Sequence, residues 1–270
     1  PDTARAGPLE PPIAIVFDHI DVEVKTIDWG RQARVSDGHL LMHGRHDAYE
    51  LETGAVIDRG PESVAPPVPH TRMSLRGKGS LTHFDLDQAL VETLRGAIRA
   101  TGRASWDSTV AWSLAVDGTD LQPGLVASDT AAWPGTVGFR FHTEGTLDSI
   151  GPRGVARLDT LSGDLRSYPL AGSATFDMAR TEVIMSTAHL AWGSVLVEGA
   201  GKVVDSVNLD FRLDIPDVGI PVPGAVGKLA ARVLAHGARA TPLVTADFSG
   251  AGLALDSNSV RTARGRLAFD

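Results

Sequence analysis

The 270-residue sequence contains no cysteine, which excludes both a disulfide framework and a thiolate-ligated metal site. It also has few aromatic residues, 6% of the chain, and no apolar run near the roughly 20 residues that a transmembrane helix needs. No signal-peptide pattern opens the chain. An excess of positive charge is missing too, because 33 acidic residues outnumber 25 basic ones and give a net charge of -8. That balance argues against nucleic-acid binding, which depends on clustered lysine and arginine.

Catalytic and metal-binding patterns are equally sparse. His39, His43 and His46 are the best metal candidates, because two lie on one strand face and the third just past a turn. The alternative is that they are exposed strand and turn residues, and we expect no metal and no cofactor. The sequence 224–228 (GAVGK) lacks the spacing of a phosphate-binding loop.

Carboxylate pairs such as Asp117 with Asp120 recur at Asp214 and Asp217, in the same position of a repeat. A recurring aspartate is typical of a turn-forming residue rather than a catalyst. The five tryptophans suggest at most a weak sugar-stacking platform, and core or groove lining is the better interpretation. The sequence therefore predicts no enzymatic activity.

What the sequence does contain is a repeat. Residues 96–121 align without a gap with residues 193–218, an offset of 97 residues (193 minus 96). The apolar positions of the two copies coincide in parity, and polar residues occupy most of the intervening positions. Alternation with a period of two predicts half-buried β-strands. Repeated hairpins of this kind cover their apolar face by stacking on the next copy.

The 29 glycines and 16 prolines fall between alternating runs, which we expect to be strands of five to eight residues. Residues 85–100 and 223–237 have helix-forming composition, but the repeat and its glycines favour strands. We expect residues 1–12 to be disordered or the start of a linker, and 13–80 to be a first β repeat with a proline-rich loop at 58–70. A second repeat would occupy 81–150, and 151–270 would hold a third and the start of the next, in one continuous elongated unit.

Several stretches together resemble the TamB family, within the AsmA-like superfamily. They are 161–178 (LSGDLRSYPLAGSATFDM), 190–218 (LAWGSVLVEGAGKVVDSVNLDFRLDIPDV) and 133–145 (WPGTVGFRFHTEG). The resemblance is carried by glycines, tryptophans and alternation, and it covers most of residues 20–270. TamB is the inner-membrane subunit of the translocation and assembly module.

The resemblance implies an all-β fold: a repetitive, elongated, curved antiparallel sheet folded into an open hydrophobic groove. It implies a periplasmic protein, anchored in the inner membrane by an N-terminal helix and docked on a TamA-like outer-membrane barrel protein. This sequence would then be an internal segment that lacks the anchor. The ligand would be phospholipid, whose acyl chains lie against inward-facing residues: Ile98, Ala100, Val110, Trp112, Leu114, Val116, Phe139, Phe141, Val195, Val197, Val207, Leu209, Phe211 and Leu213.

Three functions are compatible with the pattern. The first is a bridge for lipid transfer, built from about 18 to 22 strands spaced roughly 4.8 Å apart. The second is a scaffold for assembling outer-membrane or secreted β-proteins by strand addition at a sheet edge. The third, a β-helical carbohydrate enzyme, would need stacked carboxylates. The sequence leaves open whether the inward face is an open groove or the closed core of a sandwich.

Overall fold

The structure is a computed structural model that describes residues 16–29, 33–59, 70–107, 109–126 and 130–269. The predicted linker 1–12 and residues 60–69 of the proline-rich loop lie outside the described residues. Among the described residues, no helix is long and apolar enough to cross a membrane.

The described chain is almost entirely strand. Sixteen strands follow one another, with a short 3-10 helix, Pro123–Leu125, between the seventh and the eighth. The strands are β1 (Val16–Trp29), β2 (Ala33–Arg45), β3 (Ala48–Arg59), β4 (Thr71–Gly79), β5 (His83–Thr93), β6 (Gly96–Trp106), β7 (Val110–Leu121), β8 (Gly135–Asp148), β9 (Gly151–Leu165), β10 (Tyr168–Ala179), β11 (Glu182–Trp192), β12 (Val195–Val203), β13 (Ser206–Ile215), β14 (Val226–Ala238), β15 (Thr241–Leu255) and β16 (Asn258–Phe269).

The strands are hydrogen-bonded in chain order from β1 to β16 in one sheet. Consecutive strands from β1 to β7, and again from β9 to β16, pair antiparallel. The predicted all-β antiparallel class is confirmed. The β-helical enzyme hypothesis is wrong, because a β-helix stacks parallel strands, whereas this chain forms an antiparallel meander.

The contacts divide the chain into two compact units. The first comprises Pro1–Gly138 and His142–Ser149, and the second comprises Phe139–Phe141 and Ile150–Asp270. The first therefore contains β1 to β7, and the second contains β9 to β16.

The repeated hairpin is confirmed by register. Trp106 pairs with Val110 in β6 and β7, and Val203 pairs with Val207 in β12 and β13, each 97 residues apart. The stretches with helix-like composition at 85–100 and 223–237 form strands, as predicted.

The predicted length of the strands is wrong. Strands run from 9 to 15 residues rather than five to eight, and 16 of them occur among the described residues. Many glycines that looked like breaks lie inside strands. Gly77, for example, lies within β4, where the Phe84 side chain occupies the space a Cβ atom would need.

Candidate functional site

Each unit presents one apolar surface, formed by side chains that the strand register places side by side. In the first unit, one row runs across seven strands through directly paired residues. Its members in order are Ile20, Met42, Leu51, Gly77, Leu86, Gly102 and Leu114. We call the surface formed by this row and its neighbouring rows of the same parity the first apolar face.

The second unit has the same organisation across eight strands, β9 to β16. One row consists of Leu158, Ala174, Ala188, Gly199, Phe211, Val233, Ala246 and Leu267. The next consists of Leu161, Gly172, Leu190, Val197, Leu213, Ala231, Phe248 and Gly265. We call this surface the second apolar face, and neither of its two rows contains a charged side chain.

The predicted inward positions divide between the two units. Six of them lie in the first unit, on β6 and β7, and the pairing of Ala100 with Val116 brings both strands together. The others lie in the second unit, where Val197 pairs with Leu213, and Phe139 and Phe141 come from the part of β8 that belongs to this unit. Their role in binding lipid remains a prediction.

Sequence alternation alone missed much of both faces. Leu86 and Ala89 on β5 both lie on the first apolar face, although they are three residues apart. The reason is a β-bulge, in which one extra residue opposes the partner strand and the sequence parity reverses. Similar register shifts occur in β2, β9 and β11.

Neither face forms a closed core. Among the described residues, the only apolar side chains that are buried are Leu121, Met185, Val195, Ile220 and Ala225. Most predicted inward residues are only half-buried, and Val110 is 41% exposed. A closed core would bury the side chains of a face completely, so the described residues favour an open apolar surface on each unit.

The opposite surface of each unit is charged. In the first unit, Arg76 Nη2 lies 3.0 Å from Glu52 Oε2, and Arg103 Nε lies 3.1 Å from Asp85 Oδ1. In the second unit, Arg232 bonds Asp210 through its Nε and Nη2 atoms at 3.0 and 2.5 Å. Side chains of opposite charge on neighbouring strands favour one register. The chain is therefore amphipathic across the thickness of its sheet.

Hydrogen bonds to arginine lower the pKa values of two aspartates on this charged surface. Arg232 lowers the pKa of Asp210, and Arg266 lowers that of Asp247. In both cases the side-chain hydrogen bond is the largest cause, and the charge attraction adds to it. Each aspartate therefore forms an ion pair with an arginine of a neighbouring strand, and all four side chains are exposed to solvent.

The histidine candidates do not form a metal centre. The His43 Nε2 atom lies 3.3 Å from Glu50 Oε2, and the His39 ring lies where a Cβ atom of Gly54 would be. No group of three possible ligands occurs among the described residues. A recess of about 430 Å³ on the charged surface is lined by His19, His43 and Glu50, among others.

Of the four recurring aspartates, only Asp217 lies in a turn, because Asp117 and Asp120 belong to β7 and Asp214 belongs to β13. The Asp217 Oδ1 atom accepts a hydrogen bond of 2.9 Å from the backbone N–H of Gly219, which closes a tight turn after β13. Its counterpart Asp120 has a positive φ of 56°, a conformation that aspartate tolerates better than most residues.

Comparison with known proteins agrees with the organisation of the strands. No solved structure matches the chain. A family model described as TamB, N-terminal domain, matches residues 19–267, nearly the whole of both strand arrays. That family consists of non-enzymatic proteins of the cell envelope. With a match over this length, the chain belongs to the TamB family.

Proposed function

We propose that this chain is a periplasmic segment of a bridge that carries phospholipid acyl chains between the inner and outer membranes. The two apolar faces would hold the acyl chains, and a TamA-type barrel protein would receive the far end. The supporting observation is that both faces consist of apolar rows whose side chains are only half-buried.

An uncovered apolar surface of this extent needs an occupant. Soluble monomers rarely expose apolar patches larger than a few hundred square ångströms. Burying methylene groups stabilises by about 0.8 kcal/mol each, so a 16-carbon chain would gain on the order of 10 kcal/mol by leaving water. Acyl chains are therefore well suited to cover these faces.

The composition of the faces favours movement over fixed binding. Neighbouring positions along the second apolar face carry Val, Leu, Ala, Phe or Gly, so a chain that shifts by one strand meets similar surroundings. A site that fixes one ligand usually places a few convergent polar groups in an apolar pocket. The two rows of the second apolar face contain no charged group that would hold a lipid at one place.

The test is photocrosslinking in cells, with a photoreactive amino acid placed singly on an apolar face or beside it. The probes are Leu114, Val197 and Leu209, which are half-buried, and the controls are the exposed neighbours Ser113 and Asn208. Each control lies next to a probe in the same strand and points to the opposite surface.

We expect phospholipid adducts at the three probe positions and few at the two controls. Equal adducts at both sets, or none at either, would contradict the bridge. An absence of adducts at all five positions would favour the alternative function, a scaffold for the assembly of β-proteins. Such a scaffold needs sheet edges and no lipid on the faces.

A further inference from the structure

One connection in the second unit is much longer than a hairpin requires. The turns at Arg180-Thr181, Val204-Asp205 and Arg239-Ala240 each use two residues, whereas β13 and β14 are joined by the ten residues 216–225. We call this ten-residue segment the strap. A two-residue turn would be sufficient for an antiparallel pair, so the extra length has another use.

The strap is an ordered turn structure anchored on strands that it does not connect. Its residue Ile220 is 2% exposed, the lowest value among the buried apolar residues described. The Arg166 guanidinium donates a hydrogen bond to the carbonyl oxygen of Ile220. The Ile220 Cδ1 and Tyr168 Cδ1 atoms each lie 3.0 Å from the position that a Cβ atom on Gly193 would take. From the end of β13, the strap therefore reaches back past β12 and β11 to the start of β10.

The strap covers one end of the second apolar face over β10 to β13. Tyr168 has the parity of the face, since it lies two residues before Leu170 on β10. Val195, at the strap end of β12, is 8% exposed. At the opposite end of the face, Val183 on β11 is 41% exposed. The strap therefore covers one end of these strands, whereas at the other end Val183 is exposed and burial begins two residues further in, at Met185.

The turns at the two ends differ in charge. At the open end, the three two-residue turns carry Arg180, Asp205 and Arg239, a sum of two positive charges and one negative. At the strap end, the connections carry Arg166, Asp217 and Asp256, one positive charge and two negative. The Arg166 guanidinium is already hydrogen-bonded to Ile220. The exposed guanidinium groups of Arg180 and Arg239 are suited to phosphate, which arginine binds through charged hydrogen bonds.

From this asymmetry we infer that the second unit orients the phospholipid that moves along it, with the phosphate headgroup toward the strand ends that carry the Arg180 and Arg239 turns and the acyl chains on the second apolar face. The inference rests on the proposed function and adds a polarity to it. At the strap end, the strap occupies the space over β10 to β13 where a headgroup would otherwise lie. At the opposite end of the strands, the turns that contain Arg180 and Arg239 supply the positive charge that attracts a phosphate.

The test uses the whole chain with vesicles of phosphatidylethanolamine and phosphatidylglycerol. A trace of the phosphatidylethanolamine carries a diazirine, either on the headgroup amine or at the end of one acyl chain, and mass spectrometry locates the adducts. We expect headgroup adducts mainly at residues 180–181, 204–205 and 239–240, and acyl adducts on the second apolar face. Headgroup adducts spread equally over both ends, or concentrated on the strap, would overturn the inference while the acyl adducts still support the bridge. Failure of the proposed function would differ, because then no acyl adducts would form on the face.

Two variants test the parts separately. The double substitution Arg180→Glu with Arg239→Glu should reduce headgroup adducts at these turns at least threefold and leave the acyl adducts in place. The matched control Arg264→Glu changes an exposed arginine on β16, whose paired residue is Ser249, and should have no effect. Ile220→Asp should release the strap and move part of the headgroup labelling to the strap end. Unchanged labelling in both the double variant and Ile220→Asp would contradict the inference.

Discussion

The ring of Phe211 on β13 covers Gly199, its directly paired neighbour on β12, so closely that a Cβ atom on Gly199 would overlap the ring. The same relationship joins Phe248 to Gly265, where the two nearest ring atoms lie 2.7 and 2.8 Å from the position of such a Cβ. In the first unit, the Tyr49 side chain lies over Gly79 in the same way. These glycines let large rings lie flat on a neighbouring strand, so a single sheet layer packs its own apolar face.

A side chain at Gly199 should therefore be costly. We expect Gly199→Ala to lower the free energy of unfolding by about 1 to 3 kcal/mol, because the Phe211 ring must leave its position. The measurement is the urea unfolding midpoint of the purified chain. Ala200→Val lies next to it on the exposed surface of the same strand and should change stability by less than about 0.5 kcal/mol. Equal effects of the two substitutions would show that the ring does not depend on the glycine.

Two leucines of β7 differ in burial, so their substitutions compare the cost of losing a buried side chain with that of losing a half-buried one. Leu121 is 7% exposed, whereas Leu114, also on β7, is half-buried on the first apolar face. We expect Leu121→Ala to cost about 2 to 5 kcal/mol, the range of a buried leucine. Leu114→Ala should cost only about 1 kcal/mol, since solvent already reaches its side chain. Urea unfolding of the two variants measures the difference, and an equal cost would indicate that something in the chain covers Leu114.

The sequence predicted the antiparallel strands, the repeat and the parity of its best-aligned hairpins. Val110, Trp112, Leu114 and Val116 alternate without interruption, and the structure pairs β7 with β6 in regular register throughout. The alternation was informative there because no bulge interrupts it. Gly102 interrupts the row of apolar side chains on β6, but the strand continues through it, since Leu114 packs over that glycine.

The parts that the sequence did not predict have two physical causes. A bulge places Leu86 and Ala89 on one face, and their three-residue spacing departs from the period of two that predicts a strand. The strap depends on residues distant in sequence, because Ile220 lies beside Gly193 and accepts a hydrogen bond from Arg166, and no local periodicity predicts these contacts. The alternation within a strand predicts which side chains lie on an apolar face, but it does not predict which distant segment covers the end of that face.

The ion pairs on the charged surface predict a loss of stability in acid. The Asp247 carboxylate accepts hydrogen bonds of 2.7 and 2.9 Å from Arg266, which lower its pKa, as Arg232 lowers that of Asp210. Since each pKa is lower in the folded chain, the stabilising contribution is present above the unfolded value of about 3.9 and is lost as the pH falls through the folded value. We expect the urea midpoint to fall as the pH is lowered below about 4.

The variant Asp247→Asn should make this acid loss shallower, because one of the two carboxylates no longer titrates. The measurement is the urea midpoint between pH 7 and pH 3 at low ionic strength. Salt at about 0.5 M should weaken the effect in the unmodified chain, since exposed charges are screened. A pH profile that is the same in the variant and the unmodified chain would contradict a role for this ion pair.

The bulge in β5 predicts that the chain tolerates one deletion and not another. Asp87 and Gln88 together lie opposite one residue of β6, between the pairs Leu86 with Gly102 and Ala89 with Ala100. Deleting Gln88 removes the bulge and restores simple alternation, so Leu86, Ala89 and Val91 keep their places on the first apolar face. Deleting Thr101 from the regular strand β6 instead moves Ile98 and Ala100 to the charged surface, because one residue of slip reverses every side chain.

We expect the first deletion to change the free energy of unfolding by about 1 to 2 kcal/mol and the second to lower it by more than about 3 kcal/mol. Far-ultraviolet circular dichroism with urea unfolding measures both, and a greater loss on deleting Gln88 would mean that the bend made by the bulge, rather than the parity of the face, holds these strands together.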